Sequence, residues 1–225
     1  MGKTKSFLFL SILVLSSVSF AEPKQLPVNG RLFIGSTNVS PSDLNTSLES
    51  QSMKTIDTIT QYGVEIVYPA FQYLDVGVRY AKRTVNNEEN PANAATDYTA
   101  KIDQDSFMFL ARVPFYKSDI VRLDVFAGAG GSNTTYTIKS ASEDGSLSKK
   151  ANSGWFATPY AAAGASVAVG YKWIYFVMEG GVESNKSDSL DRSGTVSSSI
   201  NNIDLSGGYL TIGILFTGVP GTIGK

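Results

Sequence analysis

Residues 74–81 read Leu74, Asp75, Val76, Gly77, Val78, Arg79, Tyr80, Ala81, with large apolar side chains at the even positions and charged or tiny ones at the odd. Successive side chains of a β-strand point to opposite faces, so this stretch is a strand with an apolar face and a face bearing Asp75 and Arg79. Two architectures accommodate it. A soluble sheet turns the apolar face to a core and the charges to water, whereas a membrane barrel turns the apolar face to lipid and encloses the charges. The period of two is common to both.

The same alternation recurs along the chain. Outward positions in the membrane reading are Tyr62, Val64, Ile66 and Tyr68, then Leu74, Val76, Val78 and Tyr80, then Phe107, Phe109, Ala111, Val113 and Phe115. Further on they are Val121, Leu123 and Val125; Ala163, Ala165, Val167 and Val169; Ile174, Phe176 and Met178; and Leu210, Ile212, Ile214 and Phe216. A first strand around residues 32–38 has the least contrast between its faces. Each strand is about ten residues long, the length a tilted strand needs to cross a hydrocarbon layer. Inner faces are rich in Gly and Ala, which suits a narrow barrel. A serine at the inward Gly77 is accordingly expected to be milder than a charge at the outward Val76.

The links alternate in length. Short ones fall at 69–73, 116–119 and 171–173, and long polar ones at 41–54, 85–101, 139–153 and 185–203. Outer-membrane barrels carry short periplasmic turns and long external loops, so this asymmetry favours the membrane reading over a soluble secreted β-barrel binding protein. Successive hairpins make the expected fold an all-β, eight-stranded antiparallel up-and-down transmembrane barrel. Tyr68, Phe71, Tyr73, Phe115, Tyr116, Tyr171, Trp173 and Tyr175 bunch at the three short turns and are assigned to a periplasmic aromatic girdle.

The N-terminus carries Lys3 and Lys5, an apolar run over 7–20, and Ser19-Phe20-Ala21, which reads as a signal peptide cut before Glu22. The apolar run is shorter than the ~20 residues of a spanning helix. The expected organisation is a signal at 1–21, a linker at 22–29, a barrel at 30–216 and a tail at 217–225, placed in the outer membrane of a Gram-negative-type cell. Lys and Arg number 19 against 20 Asp and Glu, so no basic surplus recommends nucleic acid. The chain has no Cys and no His, which removes disulfides, thiolate metal sites and the commonest general base.

These strands and links resemble the small eight-stranded outer-membrane barrels of the OmpA-transmembrane-domain and OmpX type, over residues 30–216 and by pattern alone. Barrels of that type usually finish on a C-terminal recognition signal. Thr211, Gly213 and Phe216 suit its early positions, but Gly218 stands where the final aromatic belongs and the chain continues to Lys225. The resemblance implies membrane lipid and the barrel-insertion machinery as partners, and no cofactor. Enzymatic barrels of this membrane use a catalytic His that is missing here. Glu88 and Glu89 lie in a polar link and read as solvated charge, while Gly128, Gly130 and Gly131 lack the Lys-Ser/Thr and helix of a phosphate loop.

Seven ionisable residues remain on inward faces: Glu65, Asp75, Arg79, Arg112, Arg122, Asp124 and Glu179. Buried charges are costly unless paired, so they are expected to form an ion-paired network filling the lumen. The reading that follows is a non-enzymatic outer-membrane protein presenting four polar surface loops, with a structural, adhesion or surface-interaction role and an unidentified ligand. A narrow channel or porin-like transporter for ions or small apolar solutes, its path lined by the same charges, is the alternative.

Overall fold

The computed structural model describes residues 28–50, 53–89, 97–142, 145–154, 158–187, 190–194 and 202–218. The signal at 1–21, most of the linker at 22–29 and the tail beyond Gly218 lie outside the described residues. The elements in chain order are β1 (Asn29–Val39), α1 (Ser42–Glu49), β2 (Thr58–Phe71), β3 (Leu74–Glu89), β4 (Asp97–Lys117), β5 (Val121–Ser142) and β6 (Gly145–Asn152). They continue with β7 (Thr158–Tyr171), β8 (Ile174–Ser187), β9 (Asp191–Gly194), β10 (Ile203–Asp204) and β11 (Gly207–Phe216).

Eight of these strands form a closed, wholly antiparallel barrel. The wall runs β1, β2, β3, β4, β5, β7, β8, β11, and β11 returns to β1 with Gly30 opposite Phe216 and Val39 opposite Gly207. Closure leaves none of these wall strands with a free edge along the barrel. Tight turns join β2 to β3, β4 to β5 and β7 to β8, and Lys172 in the last of them takes a positive φ of 58°.

The alternation of the sequence becomes an outside and an inside. Leu32, Ile34, Tyr62, Val64, Ile66, Phe109, Val125, Phe176, Ile212 and Ile214 are exposed on the outer wall, Phe109 by 66%. On β4 the apolar outer face runs from Phe107 to Phe115. At ~3.3 Å per residue and a tilt of about 40° this is a band roughly 20 Å tall, close to the ~25 Å of an outer-membrane barrel. Above it, towards the long links, the outer face turns polar at Lys82 opposite Asp105, then Thr84 opposite Asp103. The Tyr80 hydroxyl marks the boundary by bonding to Asp105.

Gly77 departs from the expectation of mild substitution. A Cβ there would sit 2.3 Å from the Ile66 carbonyl oxygen and 3.0 Å from Val67 Cα, so any side chain forces the β2 backbone to move. A Cβ on Gly130 would meet the Phe107 carbonyl oxygen at 1.9 Å. Glycine at such places permits close backbone approach, and the face it occupies says nothing of that.

The long links are more ordered than a set of polar loops. Residues 85–89 and 97–101 continue β3 and β4 as paired strands, and residues 139–152 fall mostly in a hairpin of β5 with β6, to which β9 adds. Helix α1 lies in the first link. The physical reason is a second apolar core at this end: Val39, Leu44, Leu48, Met53, Ile56, Ile59, Ala100, Ile102, Tyr136, Ile138, Ile203 and Leu205 pack together, with Val85 and Leu190 against them. Asn45 pins the segment after the helix by accepting from Ile56 N–H at 2.8 Å and donating to the Ile56 carbonyl at 3.2 Å. No helix among the described residues is long and apolar enough to cross a membrane, which has no bearing on strands.

Candidate functional site

The barrel interior collects the ionisable side chains into tiers. Nearest the short turns, Arg122 of β5 donates from Nε to Asp124 at 2.8 Å and from Nη2 to Asp75 of β3 at 2.5 Å. Each of the three is at least nine-tenths buried. Antiparallel pairing positions them, because Asp75 faces Arg112 in the ladder while Arg122 and Asp124 share the inner face of β5.

The second tier ties together much of the wall. Glu65 of β2 stands directly opposite Arg79 of β3 and accepts from its Nε at 2.7 Å. Arg112 of β4 reaches both carboxylates, with Nε on Glu65 Oε1 at 2.7 Å and Nη2 on Glu179 Oε2 at 2.6 Å. Glu179 of β8 also pairs with Arg79 at 2.8 Å and with Arg31 of β1, and its Oε1 accepts from the Tyr209 hydroxyl of β11 at 3.1 Å. Arg31 completes its fork on Thr211 Oγ1 at 3.0 Å. Phe33 and Phe126 flank the guanidiniums: Arg79 lies 5.1 Å from the Phe33 centroid and 4.8 Å from Phe126, and Arg112 lies 4.6 Å from Phe126. Inward rings thus supply cation–π attraction as well as filling.

A third tier lies closer to the long links. Arg83 of β3, wholly buried, pairs with Glu183 of β8, donates to Tyr160 at 2.9 Å and to Gln104 at 2.8 Å, and rests 4.9 Å from the Tyr160 ring centroid. Above it stands a neutral polar layer: Asn185 donates to Gln104 at 2.7 Å, Gln104 to Thr134 at 2.7 Å, and Ser132 to Asn185 at 3.0 Å. Thr158 and Ser187 share a 2.9 Å bond beside it. The apolar core of the long-link end then closes the column.

The structure places Glu65, Asp75, Arg79, Arg112, Arg122, Asp124 and Glu179 inside and brings them together. It adds Arg31, Arg83 and Glu183, which sequence reasoning missed. With these, Arg31, Arg79, Arg83, Arg112 and Arg122 face Glu65, Asp75, Asp124, Glu179 and Glu183, so the formal charges cancel. Of the aromatic residues assigned to a girdle, Phe71, Tyr73, Phe115, Tyr116, Tyr171 and Trp173 are exposed beside the turns and Tyr68 is half-buried. Tyr175 does not join them. It is 8% exposed on the inner face of β8 and its hydroxyl donates to the Asp119 carbonyl at 3.1 Å, because an odd position on this strand points to the lumen however near the turn it lies.

The space left inside is small. Between the first and second tiers a cavity of about 20 Å³ is lined by Asn29, Arg31, Glu65, Arg112, Arg122 and Asp124 among others. A water needs roughly 10–15 Å³, so this is room for about one. Among the described residues no group of three or more His, Cys, Asp or Glu is arranged to hold a metal ion. The side chains of Glu88 and Glu89 lie outside the described residues.

No family model matches the chain, and no curated protein does. It is similar to several solved outer-membrane proteins. OprG from Pseudomonas aeruginosa is 14% identical, with a TM-score of 0.48 over 85% of this chain and 94% of that one. Ail, the attachment invasion locus protein of Yersinia pestis, solved with the heparin analogue sucrose octasulfate, is 13% identical, with a TM-score of 0.47 over 85% and 98%. The outer membrane protease OmpT of Escherichia coli is 9% identical, with a TM-score of 0.41 over 89% and 99%.

Proposed function

We propose that this chain is a non-enzymatic integral outer-membrane protein, a plugged barrel that carries a folded head into the external medium on the strand ends β3–β6. The observation that supports it is the inversion of polarity: a continuous apolar band outside the wall and a charge-balanced, hydrogen-bonded column inside it. A soluble barrel would bury the band and hydrate the charges. The same column disfavours the channel reading, because the cavity between its first and second tiers holds about one water and the apolar core seals the far end. Chemistry in the lumen is disfavoured as well, since the chain has no His and the inward carboxylates of the first and second tiers are spent on arginines. Periplasmic short turns and an external head follow from the usual orientation of such barrels.

Two measurements test the reading. The protein is expected to sediment with outer membranes and to stay there through alkali and urea washes; a detergent-free soluble monomer in the periplasm would exclude it. In a planar bilayer the purified protein is expected to give no steady conductance. Stable ion-selective currents would give first place to the channel, with the charged column as its lining.

A further inference from the structure

The barrel mouth at the short turns is a second, larger space. About 290 Å³ is bounded by Asn29, Gln72, Asp75, Lys117, Arg122 and Lys172, with Pro69, Phe71, Pro114, Tyr175, Thr217 and Gly218 completing the wall. Asn29 and Arg122 line both this space and the one-water cavity beneath it, so the two are consecutive. Beyond them lies the second tier, and the path ends.

The charge of this dead end has one sign in excess. The lining of the two spaces together contributes Arg31, Arg112, Arg122, Lys117 and Lys172 against Glu65, Asp75 and Asp124, and because the three arginines belong to the charge-balanced column, with Glu179 on Arg31 and Arg112, the surplus is the two lysines. Asp75 and Asp124 are both engaged by Arg122, and Glu65 by Arg79 and Arg112. At the rim, Lys117 and Lys172 are exposed and have no carboxylate within 4.0 Å among the described residues. Lys172 leans over the Tyr171 ring at 5.3 Å, and the positive φ of its backbone holds it at the apex of the turn. In the floor, Arg31 is 3% exposed and its Nε has no acceptor. Two lysines without a carboxylate partner therefore face this mouth, above one unpartnered guanidinium N–H, while the carboxylates there are engaged by arginines. A low-dielectric vestibule lined by one sign of charge concentrates counter-ions.

We propose that the short-turn mouth binds a phosphate-class anion, held between Lys117 and Lys172 above Arg122, with a single water beneath it against Arg31 Nε. The anion's source is either free phosphate or the phosphate of a lipid headgroup in the adjoining leaflet, since both present the same oxygens to the two ammonium groups. It enters and leaves by the same opening. The site rests on the barrel geometry; its headgroup source and its periplasmic placement rest on the membrane reading.

Titration with inorganic phosphate by calorimetry, on the full chain in a maltoside detergent that carries no phosphate, tests this. Saturable binding is expected, weakened about tenfold in Lys117→Gln/Lys172→Gln, the combined effect of two exposed charged contacts. Both lysines sit on the rim outside the ion-paired tiers, and an unchanged unfolding midpoint would show that the variant folds. Repeating the titration in phosphatidylglycerol nanodiscs separates the sources: loss of free-phosphate binding there points to the headgroup, and unchanged binding points to the soluble anion. Absence of saturable binding in maltoside, or binding of equal strength in the double variant, would overturn the proposal. Either result would leave the membrane reading standing, because fractionation tests that separately.

Discussion

Replacing Glu179 by Ala is expected to destabilise the barrel by about 3–5 kcal/mol, measured as the change in unfolding free energy in lipid vesicles under urea. Glu179 is the meeting point of Arg31, Arg79 and Arg112 and also accepts from Tyr209. Without it three guanidiniums share the single carboxylate of Glu65, and the tier's formal excess rises from one positive charge to two. The cost is that of stranding buried charge, which exceeds the net worth of any one ion pair. Arg79→Ala is expected to cost less, because Glu65 keeps Arg112 and Glu179 keeps Arg31 and Arg112. Glu179→Gln should fall between wild type and Ala, as its amide oxygen still accepts one hydrogen bond but offers no countercharge. A Glu179→Ala barrel within about 1 kcal/mol of wild type would mean that water reaches the tier and that the lumen is not sealed.

How much of this was legible depends on contrast between the two faces. Within the apolar band the outward positions on β2, β3, β4, β5, β7, β8 and β11 are regularly apolar, which is why the alternating Glu65, Arg79, Arg112 and Glu179 could be placed from the sequence even though inward Val67, Met108, Leu110, Phe126 and Val177 are apolar too. Above the band the outer face carries Lys82, Thr84 and Asp105, so the inward Arg83 has no apolar neighbours to betray it. Arg31 lies early in β1, whose following residues include Gly35, Ser36 and Thr37, too small or polar to show a period. The core of the long-link end was legible in principle: Leu44 and Leu48 are one helical turn apart behind Pro41 and Asp43. Polar composition around them masked that spacing. Which arginine meets which carboxylate was not legible at all, since cross-lumen partners such as Arg112 and Glu179 are set by the barrel's register and shear and by no local pattern.

An arginine at Val76 is expected to cost about 2–4 kcal/mol in the same vesicle assay, the depth-dependent penalty for a cation near the bilayer midplane. Val76 is 39% exposed in the middle of the β3 band, between Tyr68 of β2 and Ala111 of β4 in the ladder, with no acidic residue beside it on the outer face. Thr84→Arg supplies the comparison on the same strand and the same face. It lies above the band beside Asp103, to which Thr84 now donates at 3.0 Å, so an arginine there keeps both water and a countercharge and should cost about 0–1 kcal/mol. The difference between the two sites is the signature of lipid around β3. In a soluble barrel Val76 would instead face a dry protein core and resist every polar substitution alike, so Val76→Ser would approach the cost of Val76→Arg. Around a lipid-exposed wall serine is far cheaper, and equal costs for serine and arginine would refute the outward placement of the band.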